Sequence, residues 1–209
     1  MANIKDNRRS QFTREALRRA LLGLLLEKPV NRITVKELCA AADINRGTFY
    51  AHYASPEQLL TQVENEFYLD LLAEVTSFQQ AEDVERIFTQ ALCALRDRRE
   101  LASALFGPNG DREFLARVIR VAHDMCIVQW SGVSPETPRD VLEKLYAFIS
   151  YGVVKVLQEW LAGGSAEPPE KMAAMLTDLC NYGVSGFVEL TRIQPPVERR
   201  FRKYEEGRS

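Results

Sequence analysis

The 209-residue chain is 46% hydrophobic and 27% charged, with a net charge of −2, ordinary for a soluble globular protein that buries a sizeable core in one or two domains. Residues 1–55 carry ten Lys/Arg against five Asp/Glu and the remainder seventeen against twenty-four, so a basic head sits on an acidic body and a polyanion is expected at the head alone. Four scattered cysteines (Cys39, Cys93, Cys126 and Cys180) have no Cys-x-x-Cys or Cys/His spacing to support a zinc site and read as reduced core residues of a cytoplasmic protein. The apolar run 21–26 is too short to span a bilayer, and no signal peptide is evident.

Residues 1–11 are polar, with Lys5, Arg8 and Arg9; they read either as a frayed terminus or as a basic arm that reaches DNA phosphates or the minor groove. Thr13 is the expected cap of a first helix, in which Leu17, Leu21, Leu24 and Leu25 repeat at helical spacing. Pro29 ends it, because the residue before a proline is pushed out of the α region. Thr34 followed three residues later by Glu37 is a capping box. It starts a short helix that buries Val35, Leu38 and Cys39 and runs out at Ala42 and Asp43. Ile44 plugs the turn, and Asn45 is a competent N-cap for a second short helix through about Ala51. Ser55-Pro56-Glu57-Gln58 then combines a capping serine, a proline at the first helical position and a glutamine that completes a box. Two short helices around a tight turn form a helix-turn-helix, whose second helix is able to lie in the major groove.

The stretch Asp43-Ile-Asn-Arg-Gly-Thr-Phe-Tyr-Ala-His-Tyr-Ala-Ser-Pro-Glu-Gln-Leu-Leu60 resembles the core signature of TetR-type transcriptional repressors. The likeness is close over residues 10–62 and architectural beyond. Two positions depart from it. Asp43 stands where the family has a turn glycine, and Asp tolerates the left-handed conformation less well. Pro56 stands where the family has a lysine on a DNA phosphate, which removes that contact. The resemblance implies an all-α protein of about nine helices, with an N-terminal helix-turn-helix domain and a C-terminal helical domain for ligand binding and dimerisation. The expected boundaries are 1–55 and 56–193, with a flexible tail at 194–209.

From residue 55 to about 78, Leu59, Leu60, Val63, Phe67, Leu71, Leu72 and Val75 continue as one long helix. Its front half packs on the head and its rear half on the body, so a single rigid helix is expected to join the two. Further helices are expected over 83–98, 99–106 and 111–132, the last capped by Asp111. No stretch alternates with a period of two, so no strands are expected. Residues 141–161 are apolar nearly all round, the mark of a helix buried on every side. After Gly163-Gly164 and Pro168-Pro169, a stripe runs from Met172 to Leu190. This surplus apolar surface suggests an oligomer interface, and Trp160-Leu-x-x-Gly before a Pro-rich turn is similar to the family's paired dimerisation helices. The expected interface residues are Leu145, Ile149, Val153, Leu157, Met175, Leu179, Gly183 and Phe187.

Chemistry concentrates in the helix-turn-helix. Asn45, Arg46, Thr48, Tyr50 and His52 fall on its solvent side, and Gly47 leaves space for a base pair. Arginine reaches guanine O6 and N7 in bidentate fashion, while threonine bonds phosphate or touches a thymine methyl. Phe49 and Tyr53 read as core. By resemblance, Arg46, Gly47, Thr48, Tyr50 and His52 work at the DNA and Thr34 at a phosphate. The resemblance also implies an unidentified small-molecule effector in the body, with Phe88, Leu92, Phe106, Phe114, Met125, Trp130, Tyr146 and Tyr151 as candidate lining. The partners implied are thus a near-palindromic DNA duplex, an effector and a second copy of the chain, with no cofactor and no membrane. The competing classes are a helical enzyme and a protein-only adaptor. His52 and His123 have no metal spacing around them, and no nucleophile elbow, phosphate loop or dinucleotide fingerprint occurs. An adaptor would lack the recognition-helix residues.

Overall fold

In a computed structural model, residues 2–76 and 84–193 are described, except for the side chains of residues 2–7 and 9 and of a few positions within later helices. The described residues form ten α-helices and no strand. They are α1 (Ala2–Glu27), α2 (Val35–Ala42), α3 (Arg46–Tyr50), α4 (Pro56–Thr76), α5 (Val84–Asp97), α6 (Arg99–Phe106), α7 (Arg112–Ile119), α8 (His123–Val133), α9 (Arg139–Ala162) and α10 (Pro169–Ile193). The tail 194–209 lies outside the described residues. No described helix is long and apolar enough to cross a membrane.

Two local expectations are corrected. Thr13 does not cap α1. The helix already runs from Ala2, and Thr13 is an interior residue only 8% exposed. Residues 2–12 contain neither glycine nor proline, so nothing in them stops the helix from extending toward the terminus. The single helix expected over 111–132 is broken by a 3-10 turn at Arg120–Ala122. The Tyr146 hydroxyl donates to the Ile119 carbonyl, and the His123 N–H turns to Arg120 O instead. The expected cap of this segment holds: Asp111 Oδ1 accepts from Glu113 N at 2.7 Å.

The main core runs without a break from head to body. Leu17, Leu21 and Leu25 of α1 join Leu38, Phe49 and Leu59, then Phe67, Leu105, Phe106 and Phe114, then Trp160 and Leu176. A smaller cluster gathers Ile127, Leu142 and Tyr146, with Ile119, Cys126 and Trp130 packed on it. The expectation of a single helical tie is also corrected. α4 does carry Leu59 and Leu60 in the head and Phe67 in the body; the Val75 side chain lies outside those described. But α1 packs on α6 as well. Asn109, in the turn before α7, donates to Leu25 O and Leu26 O on the last turn of α1. Gly110 is required in that turn, since a Cβ there would meet Leu105 O at 2.0 Å. All four cysteines are free.

Candidate nucleic-acid interface

α2 starts where its capping box predicts. Thr34 Oγ1 accepts from Glu37 N at 3.2 Å, and Glu37 Oε2 accepts from Thr34 N at 3.0 Å and from the Thr34 hydroxyl at 2.8 Å. Lys28, at the end of α1, pairs with the same carboxylate at 2.6 Å. Lys28, then the Thr34 N–H and hydroxyl, hold the Glu37 carboxyl down to about 2 from 4.5. Thr34 is exposed, and its hydroxyl proton and one of its two lone pairs are engaged in the cap.

The turn between α2 and α3 is left-handed at Asp43, with φ 53° and ψ 48°. Short polar side chains tolerate that region better than most non-glycine residues. Asn45 then caps α3: its Oδ1 accepts from Thr48 N at 2.8 Å and from the Thr48 hydroxyl at 3.1 Å. A Cβ at Gly47 would approach that Oδ1 to 3.3 Å. The glycine therefore also protects the cap, a local role beside the space it leaves toward solvent.

Phe49 is wholly buried and Tyr53 nearly so, and they anchor the short helix in the head. The opposite side is presented outward. Asn45, Arg46, Gly47 and Tyr50 are exposed, Tyr50 at 59%, while Thr48 and His52 are half-buried. Tyr50 stands edge-on to Phe49, ring centroids 5.5 Å apart. Arg46 has no hydrogen bond or ion pair among the described residues, unlike Arg18, which pairs with Glu66 at 2.9 Å. Asn45, Gly47, Thr48, Ala51 and His52 line an open cleft of about 530 Å³, closed on its other side by Ser10 and Thr13 of α1. Ser10 was not singled out from the sequence. The signal was available only after α1 was known to run past it, because Ser10 and Thr13 then share one helical face.

Residues 17–63 match the family model described as bacterial regulatory proteins, tetR family, and residues 82–182 match one described as transcriptional regulator C-terminal region. Together the two matches cover the helix-turn-helix and most of the body. The chain belongs to the TetR family. It is 28% identical over 177 residues to the HTH-type transcriptional regulator YxbF of Bacillus subtilis, covering 80% of this chain and 44% of that protein. The chain thus spans under half the length of that relative. A TetR transcriptional regulator from Streptococcus agalactiae shares the fold at a TM-score of 0.60 and 23% identity, covering 88% of this chain and 98% of that one. NalD of Pseudomonas aeruginosa, the secondary repressor of the MexAB-OprM multidrug efflux pump, does so at 0.61 and 21%, covering 84% and 97%.

Among the described residues, the expected pocket residues are spread over the main core, the smaller cluster and the surface of α9 in this TetR-family chain. Leu92, Phe106 and Phe114 are buried in the main core, and Phe88 packs on it half-buried. Phe67, Phe106 and Phe114 form a triangle with centroids 5.8, 6.2 and 6.1 Å apart. Trp130 and Tyr146 belong to the smaller cluster, and Tyr151 is 58% exposed on α9. The Met125 side chain lies outside those described. Aromatic size marks core as strongly as it marks a ligand site, and here core is what most of these residues form.

The expected interface positions divide in the same way. Met175 and Leu179 are exposed on α10, and Gly183 is open beside them. On α9, however, Leu145 is buried, Ile149 is half-buried, and Val153 and Leu157 pack against the subunit's own core. The outward face of α9 carries Phe148, at 80% exposure, together with the exposed Tyr151 and Gly152. A helix apolar all round gives no sequence signal for which side faces its own subunit. The Phe187 side chain lies outside those described.

Proposed function

We propose that the chain binds a near-palindromic DNA duplex as a homodimer and represses transcription until a small-molecule effector, held by the body, releases it. Arg46 carries the reading: an exposed guanidinium without a partner among the described residues, on a helix fixed in place by the Asn45 cap and the buried Phe49. An unsatisfied arginine on a rigid short helix, in the basic part of the chain, suits bidentate contact with guanine. Asn45, Thr48, Tyr50 and His52 flank it, with Thr34 at the start of the preceding helix. The family's regulators bind DNA and dimerise, and NalD is a repressor.

The dimer face we assign is the outward side of α9 and α10, with Phe148 and Tyr151 on the first and Met175, Leu179 and Tyr182 on the second, all exposed in the single chain. Two copies joined there place two recognition helices on one duplex, with half-site centres about 34–36 Å apart or slightly more. The division into a head, 1–55, and a body, 56–193, follows the change in charge along the chain and leaves effector binding to the body.

Selection from a random duplex library with the purified chain tests this. The expected product is an inverted repeat, bound by two chains and weakened by salt with a slope of about −0.9 per phosphate contact. Failure to enrich any sequence, or enrichment of single half-sites bound by one chain, sinks the reading.

A further inference from the structure

One guanidinium between two aromatic rings is left with half of its hydrogen-bonding capacity unmet among the described residues. Arg117 of α7 reaches α4, where its Nη1 donates to Asn65 Oδ1 at 2.9 Å. Its guanidinium carbon lies 4.4 Å from the centre of the Tyr68 ring and 5.5 Å from that of Phe114. Three contacts thus fix the plane of the group. The two nitrogens left over, Nε and Nη2, are shielded from solvent and have no hydrogen-bond partner among the described residues. They are the side-on edge of the guanidinium, whose parallel N–H groups match the two oxygens of a carboxylate. Glu64, one residue before Asn65 and 6% exposed, has an Oε1 that is likewise shielded and unpartnered. Arg117 and Glu64 influence each other electrostatically, yet no ion pair joins them.

Buried donors left unmade are costly, and a native structure holds few of them without a reason. A guanidinium already oriented by two rings and an amide loses little further freedom when it binds, which favours a ligand that completes its fork. We propose that the side-on edge of Arg117 holds the carboxylate of a small apolar monocarboxylic acid, bound between α4 and α7 beside Glu64, and that this acid is the effector. The proposal rests on the effector reading above and names the class of molecule. Tyr68 and Phe114 flank the carboxylate, and the Glu64 carboxyl supplies the neighbouring hydrogen-bonding group. The charges that bear on Glu64 are Asp111 and Arg117, both from the segment that begins α7. Burial first, then Asp111, raises its carboxyl to about 7, while Arg117 lowers it. A bound carboxylate next to Glu64 favours its protonated form further, so binding takes up a proton.

The site lies on the helix that carries Leu59 and Leu60 into the head. A group inserted between Arg117 and Glu64 therefore presses on the element that positions α3, which links the chemistry of the site to release from DNA.

The probes are straight-chain monocarboxylates from acetate to decanoate, with benzoate and phenylacetate, each compared with its primary amide by calorimetric titration of the full chain. At least one acid is expected to bind at least about ten-fold tighter than its amide, and more tightly as pH falls from about 8 to 6. Arg117→Lys keeps a charge but loses the fork, and with Arg117→Gln it is expected to weaken that acid at least about ten-fold. Glu64→Gln keeps a hydrogen-bonding group and is expected to retain binding but lose its pH dependence. Circular dichroism of each variant separates loss of binding from loss of fold. The proposal is overturned if no acid in the series binds, if acid and amide bind alike, or if folded Arg117→Lys binds the acid as the parent does. The same titrations with duplex present separate the two readings. An acid that binds through Arg117 without weakening the duplex upholds this site and removes the effector role. A neutral compound that releases duplex equally from Arg117→Gln upholds the effector reading and overturns this one.

Discussion

The side-chain amide of Asn109 lies 3.0 Å from the Leu25 carbonyl and so caps α1 from within the body. The last carbonyls of a helix have no partner of their own, and here the body supplies one. The head is thus held at two places, by α4 running through it and by the α6–α7 turn seated on the end of α1. A movement at α4 has to carry α1 with it or break this cap.

Asn109→Ala removes both hydrogen bonds to α1 and is expected to lower stability by about 1 kcal/mol. Urea unfolding at neutral pH measures it. An unchanged midpoint would mean that water replaces the amide without loss.

Thr34 and Arg46 are both exposed, and of the two only Thr34 makes side-chain hydrogen bonds among the described residues. Thr34→Ala breaks the capping box and is expected to cost about 1 kcal/mol of folding stability, seen as a lower thermal midpoint without DNA. Arg46→Ala removes no hydrogen bond or ion pair among the described residues and is expected to leave stability within about 0.5 kcal/mol. It is expected to weaken the selected duplex by about 1–3 kcal/mol and to relax preference at one base pair per half-site. If Arg46→Ala changes stability and not affinity, the assignment of α3 fails.

The head was legible because its signals are local. The capping box at Thr34, the cap at Asn45 and the buried Phe49 each depend on residues within a few positions, and each sits where the spacing put it. What was not legible depends on partners far along the chain. Tyr146 breaks the helix at Ile119 from 27 residues away, and Asn109 caps α1 from 84. The facing of α9 shows the same limit. Phe148 and Leu145 are both large and apolar, and only the packing of other helices decides that one points out and the other in. Arg117 gave no sequence signal, because an arginine on an amphipathic helix ordinarily points to water.

That difference on α9 is testable. Phe148→Glu and Leu179→Glu place a charge on the outward faces, and each is expected to convert the dimer to a folded monomer in sedimentation at micromolar concentration. Leu145→Ala acts inside the subunit and is expected to cost about 2–5 kcal/mol of stability without changing the monomer–dimer balance of the folded protein. Dimers that survive both glutamate variants would place the interface elsewhere.

Glu64 makes the stability of the ligand-free chain depend on pH in an unusual direction. Its carboxyl is raised from 4.5 to about 7, chiefly by burial and next by Asp111. Between those values the folded chain keeps a proton that the unfolded chain has lost. Stability from this group is therefore greatest below about pH 4.5, falls as pH rises to about 7, and changes little above. The full swing is at most on the order of 3 kcal/mol. Glu64→Gln cannot ionise, so the comparison that matters is the slope and not the absolute stability of the variant. Relative to Glu64→Gln, the parent chain is expected to lose stability steadily in urea titrations between about pH 5 and pH 7.5. Parallel curves for the two proteins across that range would mean that Glu64 titrates near its ordinary value, through a rearrangement that pairs it with Arg117.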